Sequence, residues 1–458
     1  MRNEHGRREQ QSSPILKRFS HAGWAAASLL LVGVLSLLII PDPFVNAILV
    51  PRLIRTFEEA YPGYSLRLAG LHYSVLGNLA KCDSVVVAAV DDNGTVVVHE
   101  FSLRGFDRWA LFRGGTRDDR TWRDVIVDAG AMDLVRPRAD WAIHCGRVHL
   151  SIPDSILEAD TLDYHPRTGD NEFFDASQFR RTRVMVAASH VELRGVSWLE
   201  FLRGTGVRAR SVRVQGASVD ILCNKEKPVA RTDTPGWMPG EMLASLPGNS
   251  RIDSVNVMNA KVQYGERWTA AAQPALVELD DFRLSAAGIS NESAAGPPLV
   301  LRAGGTLMNS GTMSMVITIP INPTESPLLC SGSLGPMDLR VLNRFLETAE
   351  QVRITAGVLQ DASFEFAIVS GRGGGTVRAV YRDFQIAKIN RVTRNAGGTD
   401  DVIVSFLANT FKLRGSNEVD GSGGMKIGTV MYVRKQGDSF FHLLWFSLRS
   451  GIKDVAGF

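Results

Sequence analysis

Cysteine is scarce in this chain: Cys82, Cys145, Cys223 and Cys330 are the only four in 458 residues. None forms a C-x-x-C pair, which excludes zinc-ribbon and dithiol redox chemistry. Four thiols over this length do not make a disulfide scaffold either. Buried or idle thiols are expected, with one long-range disulfide open to them if the body lies outside the cytoplasm. Surplus charge is also missing. There are 51 Lys and Arg against 48 Asp and Glu, a net +3. The first twenty residues hold Arg2, Arg7, Arg8, Lys17 and Arg18 against Glu4 and Glu9, so the rest is neutral. A neutral body offers no basic face for phosphates, and no nucleic-acid partner is expected.

Catalytic signatures are absent as well. No G-x-S-x-G nucleophile elbow and no H-E-x-x-H zinc helix occurs. The run Ser370-Gly371-Arg372-Gly373-Gly374-Gly375 lacks the Lys-Ser/Thr ending of a phosphate loop and reads as a hairpin turn. His144 and His149 are five apart, which puts them on opposite faces of a regular strand and makes them poor joint ligands. Asp91-Asp92 and Asp280-Asp281 read as solvated turn acids. No enzyme, no cofactor and no metal site is expected.

What is present is ordinary globular composition, 45% apolar and 22% charged, in a chain long for one domain. Phe19 to Pro41 holds no Lys, Arg, Asp or Glu. Within it Ala22 to Ile40 has the length and apolarity of a bilayer-spanning helix, including Ala22, Leu30, Leu37 and Ile40. Trp24 lies near one end, where an indole favours the interface. Pro41 and Pro43 stop the helix. Lys17 and Arg18 before it place the N-terminus in the cytoplasm and the body across the membrane. The rival reading is a cleaved signal peptide, whose apolar region is usually shorter, about 7–15 residues. From Phe44 to Ala60 apolar residues recur at helical spacing around Pro51, predicting a short amphipathic helix that lies on the membrane or caps the first strands.

After Tyr64 the pattern is β. Val85–Val90 and Thr95–Arg104 flank Asp91-Asp92-Asn93-Gly94, a hairpin signal. Val97, Phe101 and Leu103 alternate with polar residues. So do Phe364, Phe366 and Ile368 in one later run, and Val377, Ala379 and Tyr381 in the next. The chain also repeats itself. Arg208 to Ile221 returns as Arg251 to Tyr264 after 43 residues, with Arg, Ser, Val and Ala in register. Leu103-Arg104-Gly105 with Trp109 and Phe112 returns as Leu193-Arg194-Gly195 with Trp198 and Phe201. The unit is a strand, a short apolar helical turn, and a strand. Repeated short strands imply an elongated sheet. Its apolar face is either a closed sandwich core or an open groove, and periodicity does not separate the two.

The boundaries read as a basic tail (1–20), an anchor (21–42), an amphipathic helix (43–62), N-terminal β repeats (63–223), a Pro/Gly-rich connection (224–250), C-terminal β repeats (251–437) and an amphipathic helix (438–458). In the last segment Phe440, Phe441, Leu444, Trp445 and Leu448 are too few to span a bilayer. Capping of the sheet end, membrane contact and partner binding all fit it.

This order of elements resembles the AsmA-like family of envelope proteins. The resemblance rests on the basic tail and anchor, Pro62–Asn78, Ser102–Gly115, Arg251–Glu266, Gly332–Glu347, Val352–Phe366, Val377–Ile389, Val404–Asn417 and Ser439–Gly457. It implies a mainly β fold: an elongated, curved antiparallel sheet with a groove, an N-terminal transmembrane helix and short capping helices. It also implies an inner-membrane anchor, a periplasmic body, and kinship with bridge-like lipid-transfer proteins. The partners implied are the inner membrane, phospholipid or another acyl lipid, and envelope proteins. At about 4.8 Å per strand, about 20–25 strands would reach only about 100–120 Å. The candidate groove-lining residues are Val97, Phe101, Leu103, Phe364, Phe366 and Ile368. The competing function is a structural or assembly factor for outer-membrane biogenesis, with a closed core and an exposed patch.

Overall fold

The computed structural model describes residues 50–457, except 75–76, 92, 106, 108–121, 204, 231–237, 247, 270–272, 293–296, 321–326, 390–412, 420, 422–423 and 437. The expected anchor with Ala22, Trp24, Leu30, Leu37 and Ile40 lies outside the described residues. So do the turn holding Trp109 and Phe112 and most of the segment Val404–Asn417. Among the described residues no helix is long and apolar enough to cross a membrane.

The described residues begin with helix α1 (Val50–Ala60), with Pro51 in its first turn, where a missing N–H costs nothing. Phe57 on this helix is buried against Leu66 and Leu71, so α1 caps the first strands. Then follow β1 (Tyr64–Ala69), β2 (His72–Ser74), β3 (Leu79–Ala89), β4 (Thr95–Arg104), β5 (Ile126–Ala129), β6 (Ala131–Arg136), β7 (Trp141–Cys145), β8 (Val148–Ser151) and β9 (Ile156–Pro166). Helix α2 (Asp170–Asp175) leads to β10 (Thr182–Arg194), α3 (Trp198–Arg203), β11 (Arg208–Gln215), β12 (Ser218–Asn224) and α4 (Pro239–Ala244). The second half comprises β13 (Arg251–Arg267), β14 (Ala275–Ser290), β15 (Leu299–Leu307), β16 (Gly311–Ile319), β17 (Leu328–Leu334), β18 (Met337–Asp338), α5 (Asn343–Ala349), β19 (Val352–Val369), β20 (Arg372–Lys388), β21 (Ile427–Val433) and α6 (Phe440–Ala456).

The 21 strands among the described residues join one sheet. The expected hairpins form: β3 pairs with β4, and β19 with β20. In the second hairpin only Ser370 and Gly371 turn, both at positive φ. Gly373, Gly374 and Gly375 lie inside β20 rather than in the turn. The sheet is mixed rather than purely antiparallel, because β13 runs parallel to β11 and β12. Parallel neighbours need a long return path, and the Pro-rich stretch 224–250 with α4 provides it. The repeated Leu-Arg-Gly element has a structural counterpart: Gly105 and Gly195 both adopt positive φ, 79° and 67°, at the ends of β4 and β10. That conformation suits glycine. Trp198 of α3 then packs beside Val196 and Ala209, with Phe201 against them.

The strands are irregular at a shared line. Glu100 in β4, Thr161 in β9, Asn259 in β13 and Asp281 in β14 all have positive φ. Gly130, Gly146 and Gly216 separate β5 from β6, β7 from β8, and β11 from β12. Hydrogen bonds tie these points together rung by rung. Gly130 donates to His99, Gly146 to Asp160 and Gly216 to Met258. A bulge bends its strand and raises local twist, so a bulge repeated at the same height creases the sheet lengthwise.

Candidate functional site

Residues paired directly across neighbouring strands project to the same face. One such row crosses the whole sheet: Tyr73, Ala80, Leu103, Val127, Leu150, Leu157, Leu193, Val212, Val255, Ala286, Leu301, Ile317, Cys330, Phe366, Gly375 and Val430. Every member is apolar or glycine. The adjacent row, on the other face, runs from His72 and Lys81 through Ser102, Asp128, His149, Glu158, Glu192 and Arg213 to Asn256, Ser285 and Arg302. It continues as Val316, Ser331, Glu365, Thr376 and Thr429. Only Val316 is apolar. The sheet is therefore amphipathic along its full length, roughly 70 Å at the usual strand spacing.

Beyond the crease a second apolar row faces the same way. It comprises Val96, Leu134, Ile143, Tyr164, Val186, Val219, Val262, Leu279 and Leu307. All nine are half-buried, whereas Leu66 and Val87, which extend the row toward the N-terminal edge, are buried at 3%. Among the described residues all strands lie in one sheet, so no second sheet there covers this row. Helices cover the opposite side of the crease, where α3 packs beside Leu150 and Leu193, and Leu243 of α4 joins Leu299 and Ile319. On the near side the two ends of the row are packed, Val96 against the cluster of Val98 and Phe101, and Leu307 beside Met337 and Leu339, with Phe345 of α5 against Tyr264. The result is a trough with one side packed and the other half-buried between its packed ends.

The predicted groove residues fall into three groups. Phe101, Leu103, Phe366 and Ile368 are on the apolar face but sealed, at 3%, 0%, 3% and 5% exposure. Phe364 is on that face and half-buried, packed against the same cluster as Phe366. Val97 is on the polar face, paired with Val86 and Asp133. The bulge at Glu100 adds one residue to the alternation, so Val96 and Val98 share the face of Phe101 and Leu103. The half-exposed row escaped strict alternation for the same reason.

The far end of the trough is closed by α6. Its Phe440, Leu443 and Leu444 are buried with Phe366 and Val430, and Leu448 packs partly against them. Phe441 and Trp445 point outward, 75% and 48% exposed. The helix also covers the sheet edge. Asp454 accepts the Thr429 N–H at 2.6 Å and Ser450 accepts that of Met431 at 3.0 Å. That backbone donor holds the Asp454 carboxyl below its ordinary range. Contact is close: a Cβ on Gly428 would lie 2.1 Å from the Gly451 carbonyl oxygen.

The polar face carries histidine–aspartate pairs. His144 Nδ1 lies 2.7 Å from Asp133, His149 Nδ1 2.6 Å from Asp128, and His190 Nδ1 2.7 Å from Asp160. His144 and His149 thus share a face, contrary to the odd-spacing argument, because Gly146 interrupts the alternation. Among the described residues no group of three or more His, Cys, Asp or Glu could hold a metal. Asp91 accepts the Asn93 N–H at 3.1 Å as a turn acid. Asp280 and Asp281 instead sit at the bulge inside β14, with Asp280 3.7 Å from Lys261. All four cysteines are buried and unpaired. Burial pushes the Cys330 thiol up to about 12.

A cavity of about 290 Å³ opens at the rim of the open side, among Asp140, Trp141, Tyr164, Phe173, Arg181 and Val184. No family model matches this chain, and no curated protein is significantly similar to it.

Proposed function

We propose that the protein binds acyl chains of lipid along the open side of its apolar trough, as a membrane-anchored periplasmic protein of AsmA-like type. The observation that carries this reading is the half-exposed row from Val96 to Leu307, apolar at every rung and uncovered by a second sheet. An acyl chain is the ligand class that matches a long, narrow, apolar surface with no catalytic polar group on it. The anchor, the inner-membrane location and the conduction of lipid between envelope membranes rest on the sequence and on the family resemblance. The outward Phe441 and Trp445 on α6 favour a second reading, an assembly factor that docks envelope proteins.

The test is Val219→Glu in the full chain, with co-purified lipid and thermal unfolding measured together. Val219 is half-buried rather than sealed, so a new carboxylate keeps access to water and the fold stands. The acyl-binding reading expects lost lipid and an unfolding temperature within a few degrees of wild type. Undiminished lipid in a folded variant would remove the reading.

A further inference from the structure

The rim cavity of about 290 Å³ carries a further inference, which rests on the acyl-trough reading. Two of its walls belong to the trough: Tyr164 stands in the half-exposed row, and Val184 pairs with Ile221 one step further out. Trp141 closes the cavity beside Tyr164, with ring centroids 5.9 Å apart. Two side chains of opposite charge complete it. The Arg181 guanidinium lies 3.9 Å over the Phe173 ring and donates one N–H to the Phe173 carbonyl at 2.9 Å. Asp140 uses one carboxylate oxygen to accept the Thr168 hydroxyl at 2.6 Å. Among the described residues neither Arg181 nor Asp140 forms an ion pair.

We propose that this cavity binds a zwitterionic headgroup, a phosphate joined to an ammonium, of an amphiphile whose acyl chain lies in the trough. The guanidinium fork matches phosphate oxygens. The Asp140 carboxylate and the Tyr164 ring attract an ammonium, whereas the Trp141 ring already carries the Arg136 guanidinium at 5.7 Å. A purely anionic head meets the Asp140 charge, and an uncharged head leaves both charges unanswered. The cavity is a few headgroups in volume at most, so the tails stay outside it, on the apolar row to which Tyr164 belongs.

The experiment uses the full chain in mild detergent and measures equilibrium binding of four labelled probes. These are a short-chain diacyl phosphoethanolamine, the matching phosphatidic acid, the matching diacylglycerol, and free phosphoethanolamine without tails. Wild type is expected to bind the phosphoethanolamine lipid at least tenfold more tightly than either other lipid, and the tailless headgroup far more weakly. Arg181→Gln brings the phosphoethanolamine lipid to the diacylglycerol level, while Arg181→Lys restores part of the difference. Asp140→Asn, which keeps a side chain tolerant of the positive φ of 53° at this position, removes the preference over phosphatidic acid. Equal binding of all three lipids, unmoved by any variant, overturns the headgroup site and leaves the trough reading intact. Tight binding of the tailless headgroup without lipid binding overturns the trough reading and assigns the cavity to a soluble zwitterion. Binding of none of the four probes overturns both.

Discussion

Val212 of β11 and Val255 of β13 stand side by side in parallel register. Every other pair along these strands keeps the same offset of 43 residues, from Arg208 beside Arg251 to Asn224 beside Arg267. The internal repeat is thus a physical neighbour relationship. A parallel pairing sets each copy's apolar residue beside its counterpart, so the repeat itself extends the apolar rows across the sheet.

The crease can be tested at Asn259. Its φ of 52° marks the bulge in β13. Asn259→Gly keeps the bulge and is expected to change stability by less than about 1 kcal/mol. Asn259→Ile disfavours that positive φ; a strand regularised with the residue still in place turns Ala260, Val262 and Tyr264 to the polar face and brings Lys261 and Gln263 into the trough. Urea unfolding is expected to show a lower midpoint for Asn259→Ile than for Asn259→Gly. Equal stability of the two variants would mean that the bulge does not set the phase.

Sealed and open positions on the apolar face differ in cost. Phe366, under α6, is 3% exposed, and Phe366→Ala is expected to destabilise by about 3–5 kcal/mol. Ile143, in the open row, is only half-buried, so Ile143→Ala is expected to cost about 1 kcal/mol. Denaturant midpoints compare the two directly. A loss at Ile143 as large as that at Phe366 would indicate a filled core along the whole trough.

Asp160 predicts part of the acid limb of stability. Hydrogen bonds from His190 and then Arg147 hold its carboxyl below the ordinary 3.8. A carboxyl depressed in the folded state stabilises the fold above its unfolded value, and loses that contribution as pH falls through its folded value. Asp160→Asn is therefore expected to lower stability at neutral pH and to flatten its fall below about pH 4. Thermal unfolding from pH 2 to 7 measures this, and an unchanged slope would exclude the role.

The β class, the Asn93-Gly94 hairpin and the repeat were legible because each depends on local spacing or turn chemistry. Face assignment was legible only between bulges. In β13 the apolar residues run Val255, Val257, Ala260, Val262, and in β10 Leu193, Val191, Ala188, Val186. One step of three among steps of two marks the bulge in both. Strict alternation therefore misplaced Val97 and separated His144 from His149. Which apolar residues stay open was not legible, since that depends on where α3, α4 and α6 fold back. The rim cavity joins Asp140, Tyr164 and Arg181 from different segments, and no local pattern links them.

Two valines on opposite faces give the most direct test of lipid in the trough. A photo-crosslinking residue is placed at Val186, in the open apolar row, or at Val97, on the polar face, in the full chain within cells. After irradiation, lipid adducts are identified by mass spectrometry. The account predicts acyl-lipid adducts at Val186 and a background level at Val97. Adducts absent from Val186, or equal at the two positions, would contradict it.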